Sequence, residues 1–277
     1  MSHHLFDVAL RLQPRTPDAA LQTYLGHTSP DYWNMVGPFG GTTAAVALQA
    51  VLRHPQLLGE PLSLTVNYAG ALAEGAFEVQ AQPVRTNRST QHWTISIVQN
   101  DADGQPVVTT TATAVTAARR ETWSVSDTPM PPVPAPAEVE RLVIAKGVEW
   151  VKRYEMRPVR GIIPQQWDGR GDDSLSQLWL RDDPPRPLDF ASLAALSDIF
   201  FPRVWLRRAS RVPAGTVSIT TYFHAGRSEL QATGSGYLLG QARAQEFRNG
   251  FFDQTAQLWN QAGRLLVSTH QIVYFKE

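Results

Sequence analysis

Two stretches of the chain are apolar on almost every side, and each is followed by segments in which apolar and polar residues alternate. The first stretch, residues 42–52, is opened by Pro38-Phe39-Gly40-Gly41 and closed by His54-Pro55. The second, residues 190–201, is opened by Pro187-Leu188-Asp189 and closed by Pro202. Runs of this length, rich in Ala and Leu and bounded by Gly, Asp and Pro, predict helices. A helix with no polar face is expected to be buried. Period-two patterns follow at residues 62–68 and 216–223 and predict strands. A turn at Asp103-Gly104 then leads into an apolar run at 107–115, and one at Ala262-Gly263 leads into 265–275. Aligning Gly40 with Asp189, Tyr68 with Tyr222 and Gly104 with Gly263 gives offsets of 149, 154 and 159 residues, a drift that loop-length differences produce. The chain reads as two copies of one helix-and-sheet unit.

Between the copies, residues 128–136 hold five prolines in nine positions, which favours an extended linker. A short helical pattern follows at 137–145, strand patterns at 147–160 and 176–181, and a Gly- and Pro-containing irregular stretch at 161–173. The predicted boundaries are an N-terminal unit at 1–125, a linker at 126–140 and a C-terminal unit at 141–277. Each unit runs from a small-residue helix into several antiparallel strands, and small residues let a curved sheet wrap closely around a helix. The predicted class is α+β: a double hotdog in which the two sheets join edge to edge, with both helices on one side.

Composition narrows the function. The 25 basic residues balance 25 acidic ones, so no bulk field favours nucleic acid or an anionic membrane. No run approaches the roughly 18 apolar residues of a membrane-spanning helix. The start, Met1-Ser2-His3-His4-Leu5-Phe6-Asp7, has neither a basic leader nor a long apolar segment, which predicts no signal peptide and a cytoplasmic location. Cysteine is absent, which removes disulfides, thiolate catalysis and cysteine-bound zinc. The seven histidines form no metal-binding pair on a helix face. Neither Gly234-Ser235-Gly236 nor the glycines at 37, 40 and 41 match a nucleophile elbow or a dinucleotide fingerprint. Asp101-Ala102-Asp103-Gly104 lacks the later ligands of a calcium loop. No metal and no cofactor are therefore expected.

Several residues carry a family resemblance over nearly the full length. They are Phe39-Gly40-Gly41 before the first helix, Asn67-Tyr68 ending the next strand, Ser197-Asp198, Thr216 ahead of Tyr222-Phe223-His224, and Ser268-Thr269-His270-Gln271. In these the chain resembles the acyl-CoA thioesterase II family of double-hotdog enzymes. The resemblance implies that Asp198, Thr216 and Gln271 jointly hold a hydrolytic water, with an acyl-CoA-type thioester as substrate. The chain departs from the family pattern two and three residues after Thr216, where Ser218 and Ile219 stand in place of an Asp-His pair. No Asp-then-His motif follows Asp198, which disfavours the hydratase chemistry of other hotdogs.

The residues also speak for themselves. By the hand alignment Asp198 faces Gln49, Thr216 faces Leu62 and Gln271 faces Ala112, so the first copy lacks most of these polar groups. Gln271 shares its phase with Leu265, Val267, Val273 and Phe275, and an amide in an apolar row needs partners. Thr216 shares its phase with Ser218 and Thr220, which also fits a solvent face. Asp198 near the end of an apolar helix could be explained by a salt bridge to Arg203. The free N–H groups of Gly40 and Gly41 suit a thioester oxygen that gains negative charge. Two functions follow: thioester hydrolysis by an activated water, or a non-catalytic acyl-binding or scaffold protein on the same fold. Open sheet edges lead us to expect a homodimer.

Overall fold

A computed structural model describes residues 4–15, 20–144 and 147–277. The first half holds α1 (Leu5–Ala9), β1 (Gln13–Pro14), β2 (Gln22–His27), α2 (Gly40–Leu52), β3 (Glu60–Tyr68), β4 (Ala76–Thr86), β5 (Thr90–Asn100) and β6 (Pro106–Ala117). The second holds β7 (Tyr154–Arg160), β8 (Ser176–Asp182), α3 (Phe190–Leu196), α4 (Arg203–Arg208), β9 (Ala214–Phe223), α5 (Arg227–Thr233), β10 (Leu238–Arg243), β11 (Phe247–Arg248), β12 (Phe251–Asn260) and β13 (Leu265–Phe275).

All the strands belong to one antiparallel sheet in the order β1-β2-β4-β5-β6-β3-β9-β13-β12-β10-β8-β7, with β11 beside β12. The halves meet at the β3–β9 seam, where Thr65 opposes Thr220 and their hydroxyls lie 3.0 Å apart. Helices α2 and α3 share a single apolar core enclosed by the sheet. Ala44, Ala45, Ala47 and Leu48 of α2 and Leu193, Ala194, Ala195 and Leu196 of α3 are all buried there. This is the double hotdog. Small residues set how closely the helices approach: a Cβ on Gly41 would collide with the Ala195 carbonyl and the Phe39 ring.

The proline-rich linker covers the opposite face of the sheet. There Trp179, Leu239 and Trp259 form a buried row across β8, β10 and β12. The indole N–H of Trp179 donates to Pro134 O at 2.8 Å and that of Trp259 to Thr128 O at 3.1 Å. A chain without its own ladder is thus tied down by side-chain donors.

Four local readings change. The helix expected over 190–201 stops at Leu196, where the Ser197 hydroxyl donates to Leu193 O at 2.7 Å and the chain turns away. The pattern at 137–145 forms only a single 3₁₀ turn, Pro136–Glu138. The Arg157 guanidinium captures the Pro136 and Val139 carbonyls there, and Ala145 lies outside the described residues. Residues 149–153 form a 3₁₀ turn before β7 rather than more strand. The repeat alignment also shifts. Phe39 and Asp189 occupy the two helix caps, so Asp198 falls opposite Leu48 rather than Gln49. Tyr222 points outward, 50% exposed, whereas Phe223 packs on Phe190 at the start of α3, as Tyr68 meets Gly40 at the start of α2. With Phe223 matched to Tyr68, the β9–β13 and β3–β6 registers bring Gln271 opposite Ala114 instead of Ala112. Both alanines are buried, so the contrast between the halves is unchanged.

Candidate active site

Because α3 ends early, the turn after Ser197 carries the Asp198 carboxylate towards the N-terminus of α2. Asp198 Oδ1 accepts a hydrogen bond from Gln271 Nε2 at 3.0 Å. Gln271 Oε1 accepts one from Thr216 Oγ1 at 3.3 Å. The three polar groups expected from the sequence therefore form one chain, Thr216–Gln271–Asp198, although 55 and 73 residues separate the bonded pairs. Gln271 is 3% exposed and its amide is committed on both sides.

The other carboxylate oxygen faces α2. A Cβ on Gly40 would stand 2.8 Å from Asp198 Oδ2, so glycine is what lets the helix start approach the carboxylate. The Tyr68 hydroxyl donates to Gly40 O at 2.8 Å and pins that turn. Burial pushes the Asp198 carboxyl up to about 7, while the Gln271 amide and the Gly41 N–H hold it from rising further. The positive end of the α2 dipole acts in the same direction. The Gly41 N–H, expected to serve a thioester oxygen, is thus already directed at the Asp198 carboxylate.

Two alternatives from the sequence are resolved by geometry. Arg203 forms no ion pair with Asp198. It is buried and donates instead to Phe201 O, Ser174 O and Ser176 Oγ. Thr216 escapes its apparent solvent phase through a β-bulge. Ser218 pairs with Ile272 but Thr216 pairs with Val273, which leaves Val217 as the extra residue. The bulge turns Thr216 to the same side as Ile219, a use of bulges common beside active sites.

The chain of polar groups opens onto a cavity of about 630 Å³. Aromatic side chains form much of its wall, with Phe39 stacked on Trp150 at 4.2 Å, and Phe200, Phe201, Trp205 and Phe252 beside them. Met35 and Val36, both exposed, lie at its mouth. An elongated apolar group fits such a wall. Among the described residues no three His, Asp or Glu side chains converge to hold a metal. The sequence reading gave Tyr68 no role and missed Thr110 and Gln254, which also line the cavity. Gln254 carried the same signal as Gln271, a glutamine in phase with Phe252, Ala256 and Leu258.

Comparison with known proteins bears on the same features. Residues 29–117 match the acyl-CoA thioesterase N-terminal domain model and residues 126–275 the C-terminal domain model. No curated protein sequence matches the chain. Among solved structures, a conserved hotdog protein of unknown function from Alicyclobacillus acidocaldarius is 45% identical, with a TM-score of 0.90 over 100% of this chain and 99% of that one. An acyl-CoA thioesterase II from Mycobacterium marinum is 17% identical, with a TM-score of 0.75 over 98% of each chain. The dehydratase domain of RzxB from Pseudomonas fluorescens shares the fold at 14% identity and a TM-score of 0.56, covering 99% of this chain and 100% of that domain. The fold alone therefore does not choose the reaction. With both domain models matched in order across most of its length, the chain belongs to the acyl-CoA thioesterase family.

Proposed function

We propose that the protein hydrolyses acyl-CoA-type thioesters with a water activated by Asp198. The observation that carries this reading is the Thr216–Gln271–Asp198 chain at the wall of an apolar cavity. A carboxyl held near pH 7 is matched to taking a proton at neutral pH, a contribution of typically 10²–10⁴-fold. Thr216 and Gln271 fix the direction of attack, which lowers the entropic part of the barrier.

In this reading water oxygen bonds to the thioester carbon as its proton passes to Asp198. The Gly40 N–H, at the start of α2, stabilises the oxyanion. Collapse breaks the carbon–sulfur bond, and the leaving thiolate takes the proton from Asp198. The products are a carboxylic acid and a free thiol. Thr216 is not the nucleophile, because no histidine bonds to it and its hydroxyl is spent on Gln271. Release of free thiol from a panel of acyl-CoA esters of graded chain length tests the proposal. Turnover that varies with chain length is expected, and no release from any member would remove the hydrolase reading and leave acyl binding.

A further inference from the structure

Gln254 sits on the inner face of β12, directly opposite Gln271 of β13. It is 2% exposed, and what remains accessible faces the cavity. Side chains so placed across an antiparallel ladder stand about 5 Å apart. Yet the Gln254 amide is not bonded to Gln271, and no hydrogen bond joins it to any described residue. Its other neighbours on this face are Phe252 and Ala256 on its own strand and Val273 and Thr269 diagonally across. Phe252 and Val273 are apolar, and the Thr269 hydroxyl is sealed away from the cavity.

An amide in such a place is costly unless something bonds it. Water in the open cavity can bond it in the free protein, but an acyl chain that fills the cavity displaces that water and must replace its bonds. The catalytic trio does not need Gln254, because both ends of the Gln271 amide are already taken. The remaining candidate is the ligand.

We infer that Gln254 is a specificity residue that recognises an oxygen, a hydroxyl or a keto group, carried by the acyl chain close to its thioester end. The amide can donate and accept, so it reads either group. Its distance from Gln271, one strand spacing, sets the oxygen within the first few carbons after the carbonyl. The preference follows from both sides of the contact. An oxygenated chain satisfies the amide, whereas a plain hydrocarbon chain covers it and leaves it unpaired, the situation in which sites reject a ligand most strongly.

This inference rests on the thioester reading, but its test does not depend on turnover. Calorimetric affinities are compared for a β-hydroxyacyl-CoA and the plain acyl-CoA of equal chain length on an Asp198→Asn background, which prevents turnover during the titration, with the wild-type Gln254 and with Gln254→Leu. In parallel, kcat/KM is measured for both esters with Asp198 in place. Wild-type Gln254 is expected to favour the hydroxylated ligand by about tenfold, and Gln254→Leu to abolish that ratio. Gln254→Leu also replaces an unpartnered amide by an apolar group, so its melting temperature should be no lower, which separates lost recognition from lost folding. Gln254→Glu keeps the size but loses the donor, and should retain part of the preference for a hydroxyl that can donate. Equal affinity for the two ligands with wild-type Gln254 overturns the inference, as does a Gln254→Leu protein that keeps the preference. Binding that discriminates without hydrolysis of either ester would instead sink the hydrolase reading and leave Gln254 in its role.

Discussion

The two halves share a scaffold and differ at three places, and polar groups that line the cavity come from those places. Helix α2 runs unbroken from Gly40 to Leu52, whereas α3 stops at Leu196 and releases Asp198. In the first half the position matching Asp198 is the buried Leu48, still inside its helix. Strand β9 carries a bulge at Val217 that turns Thr216 inward, and β3 carries one at the matching Leu62, so the buried Pro61 stands where the second half has Thr216. The third difference lies in the inner row that crosses the seam. On the first side it runs through Val66, Ala112, Ile95 and Ala81, all buried and apolar, up to Gln22 on β2. On the second it passes from Ile219 directly to Gln271 and Gln254. In the second half a shorter helix, a threonine in place of a proline beside the shared bulge, and amides in place of apolar side chains supply the polar groups of the cavity wall. The first half contributes the start of α2, which faces the Asp198 carboxylate.

The sharpest way to break this comparison is Asp198→Asn, which keeps shape and removes the base. Thioester turnover should fall by at least about a hundredfold, with little change in substrate affinity. Its pH behaviour follows from the raised carboxyl. Activity of the wild type should rise with pH through about 7, as the base loses its proton. Stability should move the opposite way. The folded carboxyl, at about 7, holds its proton more tightly than the unfolded one, ordinarily near 3.8. The contribution to stability is therefore present below about pH 4 and lost as pH rises through 7. Asp198→Asn should be about as stable as the wild type at pH 4 and more stable, on the order of a few kcal/mol, at pH 8. Chemical denaturation at both pH values reads this. Unchanged activity, or a variant less stable at pH 8, would take the base out of the second half.

Gln271→Ala probes the inner row. It removes one donor to Asp198 and one acceptor from Thr216, so turnover should fall by one to two orders of magnitude, about 1.4 kcal/mol for each factor of ten. Because the Gln271 amide helps hold the carboxyl down, its loss should move the acidic limb of the kcat/KM profile to higher pH. A fall in rate without that movement would give Gln271 a packing role only. Thr216→Ala loses a single orienting contact, which corresponds to about 0.5–1.5 kcal/mol, or roughly tenfold in kcat at most. The acidic limb should stay in place, since Thr216 does not touch the carboxylate.

How much of this was legible in the sequence differs from element to element. The buried helices, the repeat and the double hotdog were readable because small-residue runs and period-two strands are local signals. Gln271 and Asp198 stood out because a polar group in an apolar setting is itself a local anomaly. The end of α3 was hidden. Ile199-Phe200-Phe201 continue the apolar pattern to Pro202, and only contacts more than 70 residues away draw Asp198 out of the helix. The bulge at Val217 was invisible, since the strict alternation of 216–223 argued for the opposite face. The one-residue error in the repeat has the same origin: Tyr222 and Phe223 are equally good landmarks until the pleat decides which one faces α3. Gln254 is the instructive miss. Its signal matched that of Gln271, but it became visible only once β12 was known to be its strand.

The smallest expected effect is the most direct control on the comparison. Gln49 is the polar residue nearest to Leu48 on α2, so a second, symmetric site would have to enlist it. It lies outside the cavity, partly exposed on a helix whose other residues are almost all buried. Replacing it by alanine removes no contact to Asp198, Thr216 or Gln271 and improves helix propensity slightly. Gln49→Ala should therefore change kcat and KM by less than about twofold and shift stability by no more than about 0.5 kcal/mol. Both are read on one acyl-CoA ester and one denaturation curve beside Asp198→Asn. A loss approaching that of Asp198→Asn would mean that the first half carries chemistry of its own. The asymmetry of the inner row would then be a difference in packing rather than the division between scaffold and site.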